Sequence, residues 1–198
     1  MGDEAARHTV RDLQQLLDSG ERFGTIYADP PWQYDKTVGR AAASKHYDTM
    51  TIDEICALPV RELAADDAHL HLWITNGFLE EIPRIFKAWG FDFRSSFVWV
   101  KPEIGCGNYW RNAHEMMFSG TRGAAEFKEN SDANPEMVRE MITQGFLKCS
   151  RGQHSGKPEQ VRAMIEHMSP GPYLELFGRR SAAGWTVWGN QIETTLFG

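Results

Sequence analysis

Length, composition and charge place the chain among globular proteins and argue against several classes. Its 198 residues are 41% hydrophobic and 24% charged, which is enough for one substantial core and predicts a single domain over residues 1–198. Its three cysteines, Cys56, Cys106 and Cys149, form no C-x-x-C pair, so neither a disulfide framework nor a thiolate zinc site is indicated and a reducing cytoplasm fits best. No apolar run approaches the roughly 20 residues that cross a bilayer, so no membrane is expected.

The first predicted elements lead to a distinctive tetrapeptide. Apolar residues at helical spacing predict a helix over residues 10–17, ended by Ser19-Gly20, within an N-terminal extension of residues 1–22. The short apolar run Phe23–Ala28 predicts a strand that Asp29-Pro30-Pro31 stops abruptly. We therefore expect Asp29-Pro30-Pro31-Trp32 to lie just beyond the carboxyl end of a strand.

The rest of the chain alternates between predicted strands and helices. Residues 33–50 and 101–113 carry turn-forming residues without a steady period and predict two long loops. Thr51-x-x-Glu54 resembles a capping box that starts a helix, and Pro59 either ends that helix or starts a second short turn near residues 60–65. Further strands are expected over residues 68–75, 93–100, 114–119, 145–149, 173–177 and 185–188, and further helices over residues 78–89, 135–143 and 157–168. This alternation predicts an α/β sheet with ligand sites at the carboxyl ends of its strands.

The tetrapeptide suits chemistry on an amino group. The Asp29 carboxylate and the Pro30 carbonyl are adjacent acceptors that can each take one N–H of an exocyclic amino group, which localises the nitrogen lone pair. Both prolines lack an N–H and fix φ, so the turn is stiff. Trp32 offers a flat face on which an extruded base can stack. Because average residue usage gives this tetrapeptide by chance in roughly one chain of this size in 3,000, an ordinary rigid turn is the weaker interpretation.

These residues resemble the MT-A family of adenine-N(6) methyltransferases over about residues 23–192. The matching segments, in the family's order, are Ala28-Asp29-Pro30-Pro31-Trp32, Tyr47-Asp48-Thr49-Met50 with Asp53-Glu54, Leu70-His71-Leu72-Trp73-Ile74-Thr75, Phe97-Val98-Trp99-Val100-Lys101, His154-Ser155-Gly156-Lys157-Pro158-Glu159, Ser169-Pro170-Gly171, Leu174-Glu175-Leu176-Phe177-Gly178-Arg179 and Trp185-x-x-Trp188-Gly189-Asn190-Gln191. The resemblance implies a Rossmann-like methyltransferase sheet with helices on both faces, a permuted motif order and S-adenosylmethionine as cofactor.

The resemblance also implies roles for individual residues. The catalytic set is Asp29, Pro30, Pro31 and Trp32. Asp29 is also expected at the cofactor's amino group and Lys157 at its carboxylate. The ribose and adenosine ends are expected at Phe177, Gly178, Arg179, Arg180, Asn190 and Gln191. The chain departs from the family in the short loop 180–184, which leaves ribose contacts at Ser181 and Ala182 open, and upstream of Phe23, where Asp12 is only a weak match for an acid that meets the cofactor adenine.

Side chains near the two long loops, which resemble the family's gate loops, are expected to meet the target. The substrate set is Trp32, Lys36, Arg40, Lys45, Tyr47, Tyr109 and Arg111. His69 and His71 alternate on one strand face and could pair at a metal, but without a third ligand they are expected to be structural. For His114-Glu115 we expect a structural hydrogen-bonding role, since amino-group methylation needs no further base.

DNA is the expected target, since the chain carries no zinc finger or RNA-binding module. RNA adenosine methylation is the alternative within the same chemistry, and a non-catalytic subunit of a heterodimer is the alternative outside it. A small-molecule or protein amide methyltransferase more often carries Asn-Pro-Pro-Tyr. The formal charge of -6 argues against tight autonomous binding of nucleic acid, so we expect a homodimer or heterodimer to add basic surface.

Overall fold

The computed structural model describes residues 8–10, 12–34, 49–103, 109–130, 134–150 and 156–189. Within these ranges eight strands form one sheet. The strands are β1 (His8–Val10), β2 (Phe23–Ala28), β3 (Ala64–Ile74), β4 (Asp92–Val100), β5 (His114–Arg122), β6 (Phe146–Lys148), β7 (Tyr173–Leu176) and β8 (Trp185–Trp188). The helices are α1 (Leu13–Ser19), α2 (Ile52–Cys56), α3 (Val60–Leu63), α4 (Ile82–Trp89), α5 (Glu136–Gln144) and α6 (Glu159–Met168), with a 3₁₀ helix at Asn76–Glu81 before α4.

The strand order places several functional segments at one edge of the sheet. The order is β1-β8-β7-β2-β3-β5-β4-β6, and β5 alone is antiparallel to both of its neighbours. The carboxyl ends of β2, β3, β4, β7 and β8 therefore meet at the edge where β5 begins. In α/β sheets this carboxyl edge is where ligands bind.

Alternating side chains on the central strands build a core on each face of the sheet. Ile26 and Leu72 point to one core, whereas Tyr27 and Trp73 point to the other. Helices α1 to α4 cover the first core, and α5 and α6 cover the second. Each fully buried aliphatic side chain contributes about 1.5–3 kcal/mol relative to an exposed one. The predicted α/β class with helices on both faces is confirmed.

Several helix ends follow the predicted local signals. Thr51 and Glu54 form a complete capping box at α2, and Pro83 lies in the first turn of α4. Gly20 and Gly90 end α1 and α4 with φ of 74° and 80°, a left-handed conformation that glycine adopts without a steric penalty. Asp12 accepts a hydrogen bond from the Gln14 amide and caps α1, so its carboxylate has a structural role at the start of this helix.

Other element bounds differ from the sequence prediction. Residues 8–10 form β1 rather than a helix start, because they pair with β8, which lies far away in the sequence. The predicted helix 78–89 is split into the 3₁₀ helix and α4. Strand β3 begins at Ala64, where polar residues hide the alternation. In the part of the chain that the structure describes, no helix combines the length and the apolar character needed to cross a membrane.

Candidate active site

The tetrapeptide leaves β2 as a turn that is held from two sides. The Trp32 amide donates to the Pro30 carbonyl at 3.0 Å, and the Met50 amide donates to the Pro31 carbonyl at 2.8 Å. A carbonyl oxygen has two lone pairs, so the Pro30 oxygen retains one for another donor. Asp29 follows Ala28 directly, and its side chain is 37% exposed at the carboxyl edge. The predicted position of the tetrapeptide is confirmed.

The ring of Trp32 is largely covered by protein. It is 7% exposed and stacks on Phe78 with ring centroids 5.1 Å apart and planes inclined by 24°. Its indole nitrogen is buried and has no hydrogen-bond partner among the described residues. The expected stacking of a base on Trp32 stays a prediction. The packing on Phe78 indicates that Trp32 fixes the turn that carries Asp29.

Lys157 meets Asp29 at the carboxyl edge. Its Nζ lies 2.6 Å from Asp29 Oδ2, and the same nitrogen lies 5.3 Å from the centroid of the Trp73 ring. The Lys157 side chain is 15% exposed and reaches the edge from the segment just before α6. The structure thus brings together the Asp29 carboxylate and the Lys157 ammonium group, both of which were expected from the sequence to contact the cofactor.

A second acid and a second base, Glu115 and Lys101, extend this pair. Glu115 Oε2 lies 3.1 Å from Lys157 Nζ, and Glu115 Oε1 forms an ion pair with Lys101. Lys101 is 5% exposed, and its Nζ lies 4.6 Å from the centroid of the Trp99 ring. From the sequence, Glu115 was expected to have only a structural role, and no role was expected for Lys101. A usable signal was present, since Lys101 directly follows β4 and Glu115 is the second residue of β5, at the same edge.

The side chains of Asp29, Lys157, Glu115 and Lys101 carry alternating charges, and each charge is stabilised by its neighbours. Burial lowers the pKa of Lys157, but the carboxylates of Asp29 and Glu115 raise this pKa more, so that it lies above its ordinary value. Burial raises the pKa of Glu115, but Lys157 and Lys101 lower this pKa more, so that it lies below its ordinary value. Both groups are therefore ionised at neutral pH.

The segment after β7 carries the residues expected at the rest of the cofactor. Phe177 has a φ of 67°, a left-handed conformation that is unusual outside glycine and clusters at functional sites. The Gly178 amide donates to the Trp188 carbonyl at 3.0 Å, and a Cβ at Gly178 would collide with the Val187 side chain. Arg179 and Arg180 are exposed beyond it. Asn190 and Gln191 lie outside the described residues, and all of these cofactor contacts stay predictions.

The loop between β4 and β5 carries exposed aromatic side chains at the same edge. The Lys101 amide donates to the Ala113 carbonyl at 2.6 Å and closes the base of the loop. Tyr109 is 95% exposed and Trp110 is 83% exposed, and Arg111 beside them is also exposed. Trp110 was missed by the sequence analysis. The other expected target contacts, Lys36, Arg40, Lys45 and Tyr47, lie outside the described residues.

His69 and His71 have structural roles in the core, as expected. His71 Nδ1 lies 2.8 Å from the Ser119 hydroxyl, and the Ser169 hydroxyl lies 2.9 Å from both His71 Nε2 and His69 Nδ1. Burial lowers the pKa of His71 to about 3, so the ring is neutral. Among the described residues no group of three or more His, Cys, Asp or Glu could hold a metal.

A mixed α/β sheet with an Asp-Pro-Pro-Trp turn and a facing lysine at its carboxyl edge defines a Rossmann-like methyltransferase fold. The sequence matches the MT-A70 family over residues 23–191, and the chain belongs to this family. The family expected from the motifs is confirmed.

Individual relatives differ in how much of their length the chain spans. The type II methyltransferase M.MunI of a Mycoplasma species is 31% identical over 192 residues, which cover 87% of the chain and 78% of the relative. The human N(6)-adenine-specific methyltransferase METTL4 is 29% identical, with 91% of the chain and 39% of the relative covered. The catalytic subunit METTL3 of the human N(6)-adenosine-methyltransferase is 28% identical, with 87% and 28% covered. The chain thus spans most of the first relative and less than half of the other two.

Proposed function

We propose that the chain transfers a methyl group from S-adenosylmethionine to the exocyclic amino group of adenine in DNA. The observation that carries this proposal is the contact of 2.6 Å between Lys157 and Asp29 at the carboxyl edge. Family membership supports the chemistry, since two relatives are named as methyltransferases specific for N(6) of adenine or adenosine.

The donor set at this edge fits the amino-acid end of the cofactor. That end carries one carboxylate and one ammonium, and Lys157 and Asp29 offer the complementary charges side by side. Arg179, Asn190 and Gln191 would hold the ribose and adenosine ends, with Phe177, Gly178 and Arg180 beside them. When bound, S-adenosylmethionine supplies a methyl group on a positively charged sulfur, which retains the electrons of the broken carbon–sulfur bond.

The role of the protein side of the site is to orient the adenine amino group and to localise its nitrogen lone pair. Asp29 and the free lone pair of the Pro30 carbonyl would accept the two amino N–H groups, so that the nitrogen lone pair is localised and aimed. As this lone pair forms the new nitrogen–carbon bond, one amino proton must leave, and the Asp29 carboxylate is the nearest acceptor in this arrangement. Pro31 and Trp32 would hold the turn still meanwhile.

The exposed aromatic rings and the cation of the loop between β4 and β5 indicate where the target would bind. Tyr109, Trp110 and Arg111 combine two exposed rings with a cation beside the catalytic edge, a combination typical of surfaces on which unpaired bases stack. We prefer DNA to RNA as the target because the chain spans 78% of the type II methyltransferase M.MunI but only 28% of the N(6)-adenosine-methyltransferase subunit METTL3. Because the formal charge is -6, we also propose that a second copy or another chain adds basic surface, which light scattering with and without an oligonucleotide would test.

Transfer of a radiolabelled methyl group tests the proposal. We expect labelling of unmethylated DNA to exceed that of RNA of matched sequence, and Asp29→Ala to abolish it. Asp18→Ala, at an exposed position on α1, is the matched control and should retain activity. Equal labelling by Asp29→Ala would overturn the catalytic assignment. Preferred labelling of RNA would overturn the target but not the chemistry.

A further inference from the structure

We propose that Glu115 is the permanent partner of Lys157 whereas Asp29 is its exchangeable partner. In this view Glu115, anchored by Lys101, is a positioning residue. It holds the Lys157 ammonium in place for the cofactor carboxylate while Asp29 turns to the cofactor ammonium and the adenine amino group. The inference rests on the proposed function and assigns a division of labour within the same site.

The hydrogen-bonding capacity of Lys157 is the first argument. An ammonium group has three N–H donors. Two of them are accounted for by Asp29 Oδ2 at 2.6 Å and Glu115 Oε2 at 3.1 Å. Among the described residues no third acceptor contacts this nitrogen, so one donor is left for a carboxylate that enters from the open side. A second donor becomes available if Asp29 leaves, provided that Glu115 keeps the charge in position.

The anchoring of Glu115 is the second argument. Both of its carboxylate oxygens are engaged, one by Lys101 and the other by Lys157. Glu115 lies on β5 opposite Trp99 of β4, so its backbone is fixed by the sheet. Lys101 is 5% exposed, and the amide of the same residue is tied to Ala113. Lys101, which anchors Glu115, is thus held independently of any ligand.

The freedom of Asp29 is the third argument. Asp29 lies in a turn beyond β2, its side chain is 37% exposed against 24% for Glu115, and only its Oδ2 contacts Lys157. An ionised carboxylate offers about four acceptor positions. Asp29 can therefore accept hydrogen bonds from ligand groups, whereas Glu115 is less exposed and both of its oxygens are already engaged.

Charge balance explains why two acids and two bases are needed. Asp29, Lys157, Glu115 and Lys101 sum to zero, and the amino-acid end of the cofactor also sums to zero. Loss of the Glu115 charge would leave Lys157 with Asp29 as its remaining acid. Asp29 would then be drawn towards Lys157, away from the ligand groups it is proposed to bind. Both the affinity for the cofactor and the turnover number should therefore decrease.

Binding of S-adenosylhomocysteine, measured by titration calorimetry on the full chain, tests this directly. We expect Glu115→Gln to weaken binding about tenfold, since a charged hydrogen-bond partner of Lys157 is lost. Lys101→Met should weaken it in the same direction but less. Glu126→Gln and Lys128→Met, at exposed positions beyond β5, are matched controls and should bind as the unmodified chain does.

The pH profile separates positioning from a general structural effect. In the part of the chain that the structure describes, the charged groups around Lys157 are Asp29 from the turn after β2, Glu115 from β5 and, on the other oxygen of Glu115, Lys101 just after β4. Without Glu115, one of the two carboxylates that raise the pKa of Lys157 is gone. The ratio of the dissociation constants of Glu115→Gln and the unmodified chain should therefore grow as pH rises from 7 to 9.5. A destabilised fold alone would not give this dependence.

The outcomes distinguish the two proposals. If the unmodified chain fails to bind S-adenosylhomocysteine, the proposed function is wrong and this inference with it. If it binds and Glu115→Gln binds equally well at every pH, only the division of labour is wrong. Should Glu115→Gln fail to fold, as judged by thermal unfolding, Lys101→Met decides, and unchanged affinity in that variant overturns the inference.

Discussion

Lys157 Nζ lies 2.6 Å from Asp29 Oδ2 although the two residues are 128 positions apart in the sequence. The contact exists because β2 and the segment before α6 end at the same edge of the sheet. Trp73 lies beneath it and excludes water from one side of the ammonium. Low dielectric surroundings strengthen an ion pair once it is formed, and they also make the loss of one partner costly.

Lys157→Met should lose most of its methyl transfer. The substitution removes the proposed partner of the cofactor carboxylate and leaves the Asp29 and Glu115 carboxylates without the cation between them. We expect a fall in kcat/KM of about 100-fold or more, a size consistent with the loss of a buried charged hydrogen-bond partner. Steady-state kinetics with varied S-adenosylmethionine measure it, with the exposed Lys128→Met as control. A kcat/KM within twofold of the unmodified chain would contradict the role of Lys157.

Local signals predicted much of the fold. The capping box at Thr51 and Glu54 and the glycine ends at Gly20 and Gly90 depend on neighbouring residues, so the sequence predicts them well. Strand β1 was missed because its three residues become a strand only by pairing with β8. The same limit applies to the site, since Asp29 and Lys157 were found by motif whereas Lys101 and Glu115 required the register of β4 and β5.

The tryptophan of the tetrapeptide shows what a motif leaves open. The sequence suggested a stacking face for a base, but the ring packs on Phe78, which lies 46 positions further along the chain. Whether an aromatic side chain faces a ligand or its own core is decided by tertiary packing, which composition and spacing do not specify.

Trp32→Ala should destabilise the fold. The substitution removes a ring that is 7% exposed and stacked on Phe78. We expect a loss of about 3 kcal/mol in the free energy of unfolding, at the lower end of the range for buried aromatic truncation because the indole nitrogen has no hydrogen-bond partner among the described residues. Chemical denaturation measures this loss. Trp32→Phe is the matched variant and should retain most of the stability, and an unchanged midpoint in Trp32→Ala would contradict a role in holding the turn.

Stability should fall as pH decreases below the ordinary pKa of histidine. His71 is buried and its pKa is lowered from 6.5 to about 3. Between these values the unfolded chain binds a proton that the folded chain excludes, so the free energy of unfolding decreases as the solution is acidified. Denaturation between pH 7 and pH 5 measures the slope before most carboxylates titrate. His71→Leu should reduce the slope, of which His69 retains a part because burial lowers its pKa as well. His114→Leu is the control on the same sheet, and an equal slope in both variants would contradict the assignment.

Trp110→Ala should weaken nucleic-acid binding without affecting the fold. The ring is 83% exposed, so its removal should change the free energy of unfolding by less than about 0.5 kcal/mol. If an unpaired base stacks on it, affinity for a single-stranded oligonucleotide should fall by about 1–3 kcal/mol, whereas affinity for S-adenosylhomocysteine should not change. Fluorescence anisotropy with a labelled oligonucleotide measures the first and calorimetry the second. Phe146→Ala, which truncates an aromatic ring 40% exposed on β6, is the control. Unchanged oligonucleotide affinity in Trp110→Ala, together with a change in oligomeric state, would reassign this loop to contact with a second protein chain.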